Sequence, residues 1–278
     1  MFPIIDASSG LSALFLGVLQ GLTEFLPVSS SGHLVLFQQF MDVGEEAILF
    51  DLVLHLGTLV PVLWFYRGEL GGIGRDVLQR NGDKKFFERE GVWLLVAIVV
   101  ASVPTAVIGL ALEDIFEQLF STPAVLAITF AITGVLLFTT RGRDTGEVKG
   151  TQFTLWVAFI LGLAQGFAIT PGISRSGTTI AVALLLGVER EHAVRFSFLM
   201  SVPAILGAVL FKARDVEVGS LDWMQMGVGG LAALVAGYFA LVVLVKLVKR
   251  GGLSKFSWYC WGAAIVAGGI ALFQFFDA

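Results

Sequence analysis

Apolar residues run along this chain in long, nearly uncharged stretches. The hydrocarbon core of a bilayer takes roughly 17–25 such residues per helix, and six stretches reach that length: about 47–66, 92–112, 123–139, 193–211, 226–245 and 256–276. Asp51 and Arg195 fall inside them, each near a span end, together with His55. Backbone immersed in hydrocarbon finds no water to bond with, so it closes its hydrogen bonds internally as helix. Pro61, Pro104 and Pro203 lie within these stretches, a placement that membrane helices tolerate.

Two further apolar regions are interrupted. In the first, residues 11–26 are followed by the polar kink Pro27-Val-Ser-Ser-Ser-Gly-His33 and a short apolar piece, 34–41. In the second, residues 154–170 are followed by Pro171-Gly-Ile-Ser-Arg-Ser-Gly-Thr-Thr179 and then 180–188. Each reads as a near-spanning helix, a break, and a helix too short to cross. The pattern predicts re-entrant helical hairpins that enter and leave on one side.

The two interrupted regions match at an offset of 145 residues: Gly17/Gly162, Gln20/Gln165, Gly21/Gly166, Ser29/Ser174, Ser31/Ser176 and Gly32/Gly177 are identical. Pro27 and Pro171 miss register by one. Three spans separate the copies, an odd number, so the second hairpin enters from the opposite face. The predicted fold is an all-α integral membrane protein, six transmembrane helices plus two re-entrant hairpins in an inverted repeat. It forms a single membrane domain over 1–278, with halves at 1–140 and 150–278, each a hairpin plus three spans. The kinks then meet near the midplane, where irregular backbone is permitted only against protein or a wet cavity. The short helices begin there, with positive dipole ends suited to anions and to phosphate above all.

Composition agrees. Only 14% of residues are charged against a usual value of about 25%, the hydrophobic fraction is 56% and the net charge is −4, with a mean hydropathy of +0.86. These figures exclude a soluble domain, a disordered chain and a nucleic-acid binder. A single cysteine, Cys260, excludes an intramolecular disulfide and a thiolate metal cluster. No cleavable signal peptide is visible at residues 1–6.

Loop charge sets orientation. With six spans and two hairpins, 15 Lys and Arg fall on one side, among them Arg80, Lys84, Lys85, Arg143 and Lys149, and only Lys212 and Arg214 on the side of the N-terminus. Were the second region one full span, the split would be 11 against 6. The positive-inside rule favours the lopsided arrangement, with both termini outside.

The kinks carry the candidate chemistry. Gln20 and Glu24 are four apart and share a helix face, ahead of Ser29, Ser30, Ser31 and His33. A carboxylate in a membrane helix is paired, bound to a cation or functional, and an ion pair from Glu24 to Arg175 is the plain alternative. In the second kink, Arg175 between Ser174 and Ser176, ahead of Thr178 and Thr179, suits a phosphate held bidentately by guanidinium with hydroxyls on the remaining oxygens. His55 and Asp51 fit a cavity lining or a structural pair equally. His192 reads as a solvated loop residue, Glu113, Asp114 and Glu117 as a wetted face, and the paired Gly-x-x-x-Gly motifs as close helix packing.

At Gln20-Gly-Leu-Thr-Glu24-Phe-Leu-Pro-Val-Ser-Ser-Ser-Gly-His33 and Pro171-Gly-Ile-Ser-Arg-Ser-Gly-Thr-Thr179 the chain resembles the undecaprenyl-diphosphatase family, also called bacitracin-resistance proteins, over essentially its whole length. The family's first motif has Glu or Gln, three residues, then Glu; here Gln20 holds the variable position and Glu24 the fixed one. The resemblance implies a bacterial inner-membrane phosphatase that removes one phosphate from C55-isoprenyl diphosphate, the lipid carrier of cell-wall synthesis. It implies a divalent-cation requirement and a site open to the outer face. On this reading Arg175, with Ser29, Ser174, Ser176 and Thr179, binds phosphate. Glu24 with Gln20 holds Mg2+ or Ca2+, and the nucleophile is either Ser30 with His33 as base or His33 itself. Partners are the polyprenyl diphosphate and membrane lipids, with a homodimer left open. The rival class is a transporter or flippase of a phosphorylated lipid or small anion, which needs the cationic clamp but has no use for an activated nucleophile. A channel needs a polar stripe along several spans, and none is visible.

Overall fold

The computed structural model describes residues 10–38, 47–79, 86–120, 122–142, 146, 148, 153–213 and 223–277. Arg80, Lys84, Lys85, Arg143, Lys149 and Arg214 of the loop-charge argument lie outside the described residues. The helices in chain order are α1 Gly10–Phe25, α2 Ser30–Gln38, α3 Ala47–Phe65, α4 Arg67–Leu78, α5 Glu90–Ala111, α6 Glu113–Phe120, α7 Pro123–Phe138, α8 Leu155–Phe167, α9 Arg175–Leu185, α10 Arg190–Lys212, α11 Trp223–Lys249 and α12 Phe256–Asp277. Pro61, Pro104 and Pro203 sit inside α3, α5 and α10 without ending them.

Among the described residues four helices, α5, α10, α11 and α12, are long and apolar enough to cross a bilayer alone, and the number rises to as many as six where each of two bent pairs counts as one span. In one pair α4 turns by 70° from α3. Arg67, Glu69, Arg75 and Asp76 on α4 make it a helix for the interface rather than the hydrocarbon. In the other, α6 meets α7 at 103°, with Asp114 and Glu117 exposed. α1 and α8 have 16 and 13 residues. At 1.5 Å per residue they reach about 24 and about 20 Å, short of a core about 30 Å thick. α7, with 16 residues, is equally short and reaches span length only together with α6. The surface is apolar as a bilayer requires, with Val99, Val103, Val107, Ile128, Phe239, Ile265 and Phe276 all facing outward.

Six of the packed helix pairs obey a simple exchange, while α4 on α5 has no comparable counterpart on α11. α1 lies on α11 and α8 on α5; α3 lies on α11 and α10 on α5; α3 meets α10, and α7 meets α12. Swapping α1 with α8, α3 with α10, α5 with α11 and α7 with α12 maps this set onto itself. The glycine motifs explain the closest contacts. A Cβ on Gly17 would fall onto the Gly229 carbonyl oxygen of α11, and one on Gly162 onto the Ala101 carbonyl oxygen of α5, the equivalent helix. We expect Gly17→Ala to lower the thermal midpoint in detergent, at a cost of about 1–3 kcal/mol for overpacking. Gly71→Ala, at a helical glycine with no neighbour within 4 Å, should leave it unchanged or raise it, since alanine is the better helix former. Equal midpoints for the two variants would contradict backbone contact at Gly17.

His192 departs from expectation. α10 begins at Arg190, so residue 192 belongs to its first turn and is buried. Its ring lies 5.5 Å from that of Phe153, and Arg195 approaches its Nδ1 at 3.2 Å. The helix start, displaced from the predicted span start at 193, turns the imidazole inward.

Candidate active site

α1 ends at Phe25 because Pro27 follows: proline lacks an N–H and restricts the residue before it. The chain then turns through Ser29, whose φ of 68° makes it the one non-glycine residue in the left-handed region among the described residues. Such a conformation costs about 1–3 kcal/mol and persists where neighbours over-determine it. Here they do. The Ser29 hydroxyl accepts the Gly32 N–H at 3.3 Å, capping α2, and its carbonyl accepts the His33 N–H at 3.3 Å and His33 Nδ1 at 2.7 Å.

The second kink is braced by α7. The Thr133 hydroxyl donates to the Gly172 carbonyl at 2.9 Å and accepts the Ser174 N–H at 3.2 Å. Gly172 has a φ of 84°. The Ser174 hydroxyl caps α9 through the Gly177 N–H at 3.1 Å. The two kinks touch: a Cβ on Gly32 would lie 2.9 Å from Gly172 Cα and 2.6 Å from the Phe130 ring. Ser176 donates to the Phe25 carbonyl at 3.0 Å, and Cys260 donates to the Pro27 carbonyl at 3.5 Å.

Around this contact the charged groups converge on Glu24. Its Oε1 accepts from Arg175 Nη2 in an ion pair. Its Oε2 accepts the Ser30 hydroxyl at 2.6 Å and Gln20 Nε2 at 3.1 Å. His55 Nε2 stands 4.0 Å from the same oxygen. Glu24 is 7% exposed at the side chain, Arg175 16% and His55 31%, so the group opens toward the imidazole. Two buried atoms of the cluster, Arg175 Nη1 and Gln20 Oε1, have no hydrogen-bond partner. A buried polar atom without a partner costs about 1–3 kcal/mol; Arg175 opens α9, and Gln20, on α1, bonds the same Glu24 oxygen as Ser30 at the start of α2. With Glu24 neutralised by Arg175, the two positive helix ends and the free guanidinium N–H leave a site that favours an anion.

The sequence-derived candidates fall into three groups. Gln20, Glu24, Ser30 and Arg175 form one cluster. Ser174, Ser176 and Thr179 are buried and directed into the protein: Thr179 donates to the Arg175 carbonyl at 2.9 Å and lies 2.5 Å from the Ser197 hydroxyl. Ser29 and His33 form the turn itself, with His33 Nε2 facing the Tyr259 hydroxyl of α12 at 2.8 Å. Of the two readings of His55 and Asp51, the histidine stands with the Glu24 group: its Nδ1 donates to the Asp51 backbone carbonyl at 2.7 Å, while the Asp51 carboxylate accepts from Gln38 Nε2 at 3.0 Å. Tyr259, Thr133 and Ser197 carried no motif and were not singled out from the sequence.

An all-helical, multi-pass membrane protein with two touching re-entrant kinks, and a serine, a carboxylate and an arginine bonded between them, is the class that fold and site define. The chain belongs to the bacitracin resistance protein BacA family, whose pattern matches residues 13–266. It is similar to a protein of Desulfosudis oleivorans named undecaprenyl-diphosphatase, 45% identical over 271 residues, which cover 94% of this chain and 97% of that one. Proteins of the same name from Carboxydothermus hydrogenoformans, 43% identical with 91% of this chain and 94% of the relative covered, and from Methanobrevibacter smithii, 37% identical with 92% and 95% covered, are similar throughout.

Proposed function

We propose that this protein hydrolyses undecaprenyl diphosphate to undecaprenyl phosphate and inorganic phosphate, recycling the lipid carrier of peptidoglycan synthesis and so conferring bacitracin resistance. The relatives' name supports the substrate. The observation that carries the chemistry is the Ser30 hydroxyl donating at 2.6 Å to a carboxylate that is ion-paired to Arg175. A carrier of phosphorylated lipids needs the cation but not this serine–carboxylate pair.

Ser30 Oγ attacks the terminal phosphorus as its proton passes to Glu24 Oε2, and the bond from phosphorus to the bridging oxygen breaks, releasing undecaprenyl phosphate. Glu24 releases that proton to solvent; water then attacks the phosphoserine, giving its proton to Glu24, which passes it to Ser30 Oγ as the phosphorus–Oγ bond breaks and inorganic phosphate leaves with Ser30 restored. Arg175 Nη1 and the N-termini of α2 and α9 hold the transferring phosphoryl group, where charge stabilisation does most of the work. Ser174, Ser176 and Thr179 act by holding the arginine's loop. His33 as the base for Ser30 has less support, because both its nitrogens face other partners. Among the described residues no three His, Cys, Asp or Glu side chains cluster as a metal cage. Glu24 and the free Gln20 Oε1 nevertheless fit a hard cation whose other ligands are phosphate oxygens and water. Bound there, Mg2+ or Ca2+ would neutralise diphosphate charge.

The halves 1–140 and 150–278 are read as inverted repeats, supported by the exchange of packed pairs. The loop-charge bias supports a bacterial inner-membrane protein with both termini outside and the site open to the outer face. The purified protein should release inorganic phosphate from a short-chain isoprenyl diphosphate in detergent, lose the activity with EDTA and regain it with Mg2+ or Ca2+. Turnover unchanged by the chelator would remove the cation from the proposal, and no release under any condition would overturn the phosphatase reading.

A further inference from the structure

We infer that Tyr259 is a positioning residue of this site, its hydroxyl holding His33 and, through His33, the turn at Ser29 that presents Ser30. The inference rests on the phosphatase reading for its kinetic consequence but not for its geometry. A carbonyl oxygen only accepts, so the 2.7 Å contact from His33 Nδ1 to the Ser29 carbonyl places a proton on Nδ1. Nε2 of the neutral ring is then a bare acceptor, and the Tyr259 hydroxyl donates to it at 2.8 Å. The two rings stack at 5.7 Å with 20° between their planes, and Phe130 closes the pocket edge-on at 5.2 Å. His33 is thus fixed in tautomer and orientation by groups from α7 and α12.

What His33 holds in turn is the strained residue. Ser29 keeps its positive φ while its carbonyl accepts both the backbone and the ring N–H of His33, and the next residue is Ser30, bonded to Glu24. The second kink has no such device. At the 145-residue offset His33 corresponds to Thr178, and Ser174, the counterpart of Ser29, has an ordinary φ of −75°. The histidine–tyrosine brace therefore acts on the kink that carries the nucleophile, its tyrosine supplied by the other half. Tyr259 is 50% exposed, so losing its hydroxyl removes the brace without opening the core.

Tyr259→Phe should lower kcat roughly tenfold with KM for a short-chain isoprenyl diphosphate within about twofold of wild type, the effect of one lost hydrogen bond that orients rather than binds. The three histidines, 15N-labelled and assigned through His55→Gln and His192→Gln, provide a readout free of substrate. Wild type should show His33 protonated at Nδ1 with a hydrogen-bonded Nε2, and Tyr259→Phe should shift that Nε2 resonance to the unbonded position. An unshifted resonance, or kcat within twofold of wild type, overturns the inference. If Tyr259→Phe does not fold, the wild-type spectrum decides alone, since a proton on Nε2 contradicts the bond. Absent activity in wild type with the expected spectrum would instead overturn the phosphatase reading and leave the brace standing.

Discussion

Arg175→Ala should abolish phosphate release from a polyprenyl diphosphate, with a loss of about a thousandfold or more. Arg175 is the cation of the buried cluster and the owner of its unpartnered N–H, so the variant loses both the charge that neutralises the transferring phosphoryl group and the partner of Glu24. Breaking a buried pair from one side strands the other charge, at about 3–5 kcal/mol. Ser30 and Gln20 still donate to Glu24, which places the destabilisation toward the lower end. Arg175→Lys separates the two effects. Lysine keeps the charge but not the planar fork that serves a carboxylate and a phosphate together, so its thermal midpoint should stay near wild type while turnover falls about a hundredfold. A folded Arg175→Ala protein with near-normal turnover would show that phosphate binds elsewhere.

Much of this site was legible in the chain, for physical reasons that also mark where legibility ends. Hydrocarbon allows little besides uninterrupted apolar helix, so the spans at 92–112, 193–211 and 226–245 appear as α5, α10 and α11 with ends moved by a few residues. The kinks stood out because prolines, serines and an arginine interrupt apolar sequence, and their equal spacing from Gly17 and Gly162 tied them together. The approach of Arg175 to Glu24 follows from that pairing across 151 positions. The Tyr259 contact does not. Its partner lies 226 residues away, and an aromatic residue near a helix start in a membrane protein ordinarily marks the interface. His55 was ambiguous for a related reason: four-residue spacing put Asp51 on its face, but the ring bonds the Asp51 backbone and turns Nε2 toward another helix. Local spacing identifies which groups share a face. Only the packed fold decides which of two partners each one takes.

Ser30→Ala decides the nucleophile. On the serine mechanism the variant should lose about 10^4-fold in turnover or more, as when other nucleophile–base pairs are broken. Binding of the diphosphate should change little, because the hydroxyl is directed to Glu24 rather than to an open position. The carboxylate keeps its bonds from Arg175 and Gln20, so the cost in stability should be about 1 kcal/mol. Chemical quenching separates this from the histidine route. A wild-type protein trapped with substrate should carry phosphate in an acid-stable linkage on the peptide containing Ser30, since phosphoserine survives acid where a phospho-imidazole does not. An acid-labile adduct on His33, with Ser30→Ala still turning over, would reverse the roles of the two residues. It would also require His33 Nε2, the bare nitrogen of the ring, to give up the Tyr259 hydroxyl, a rearrangement the serine route avoids.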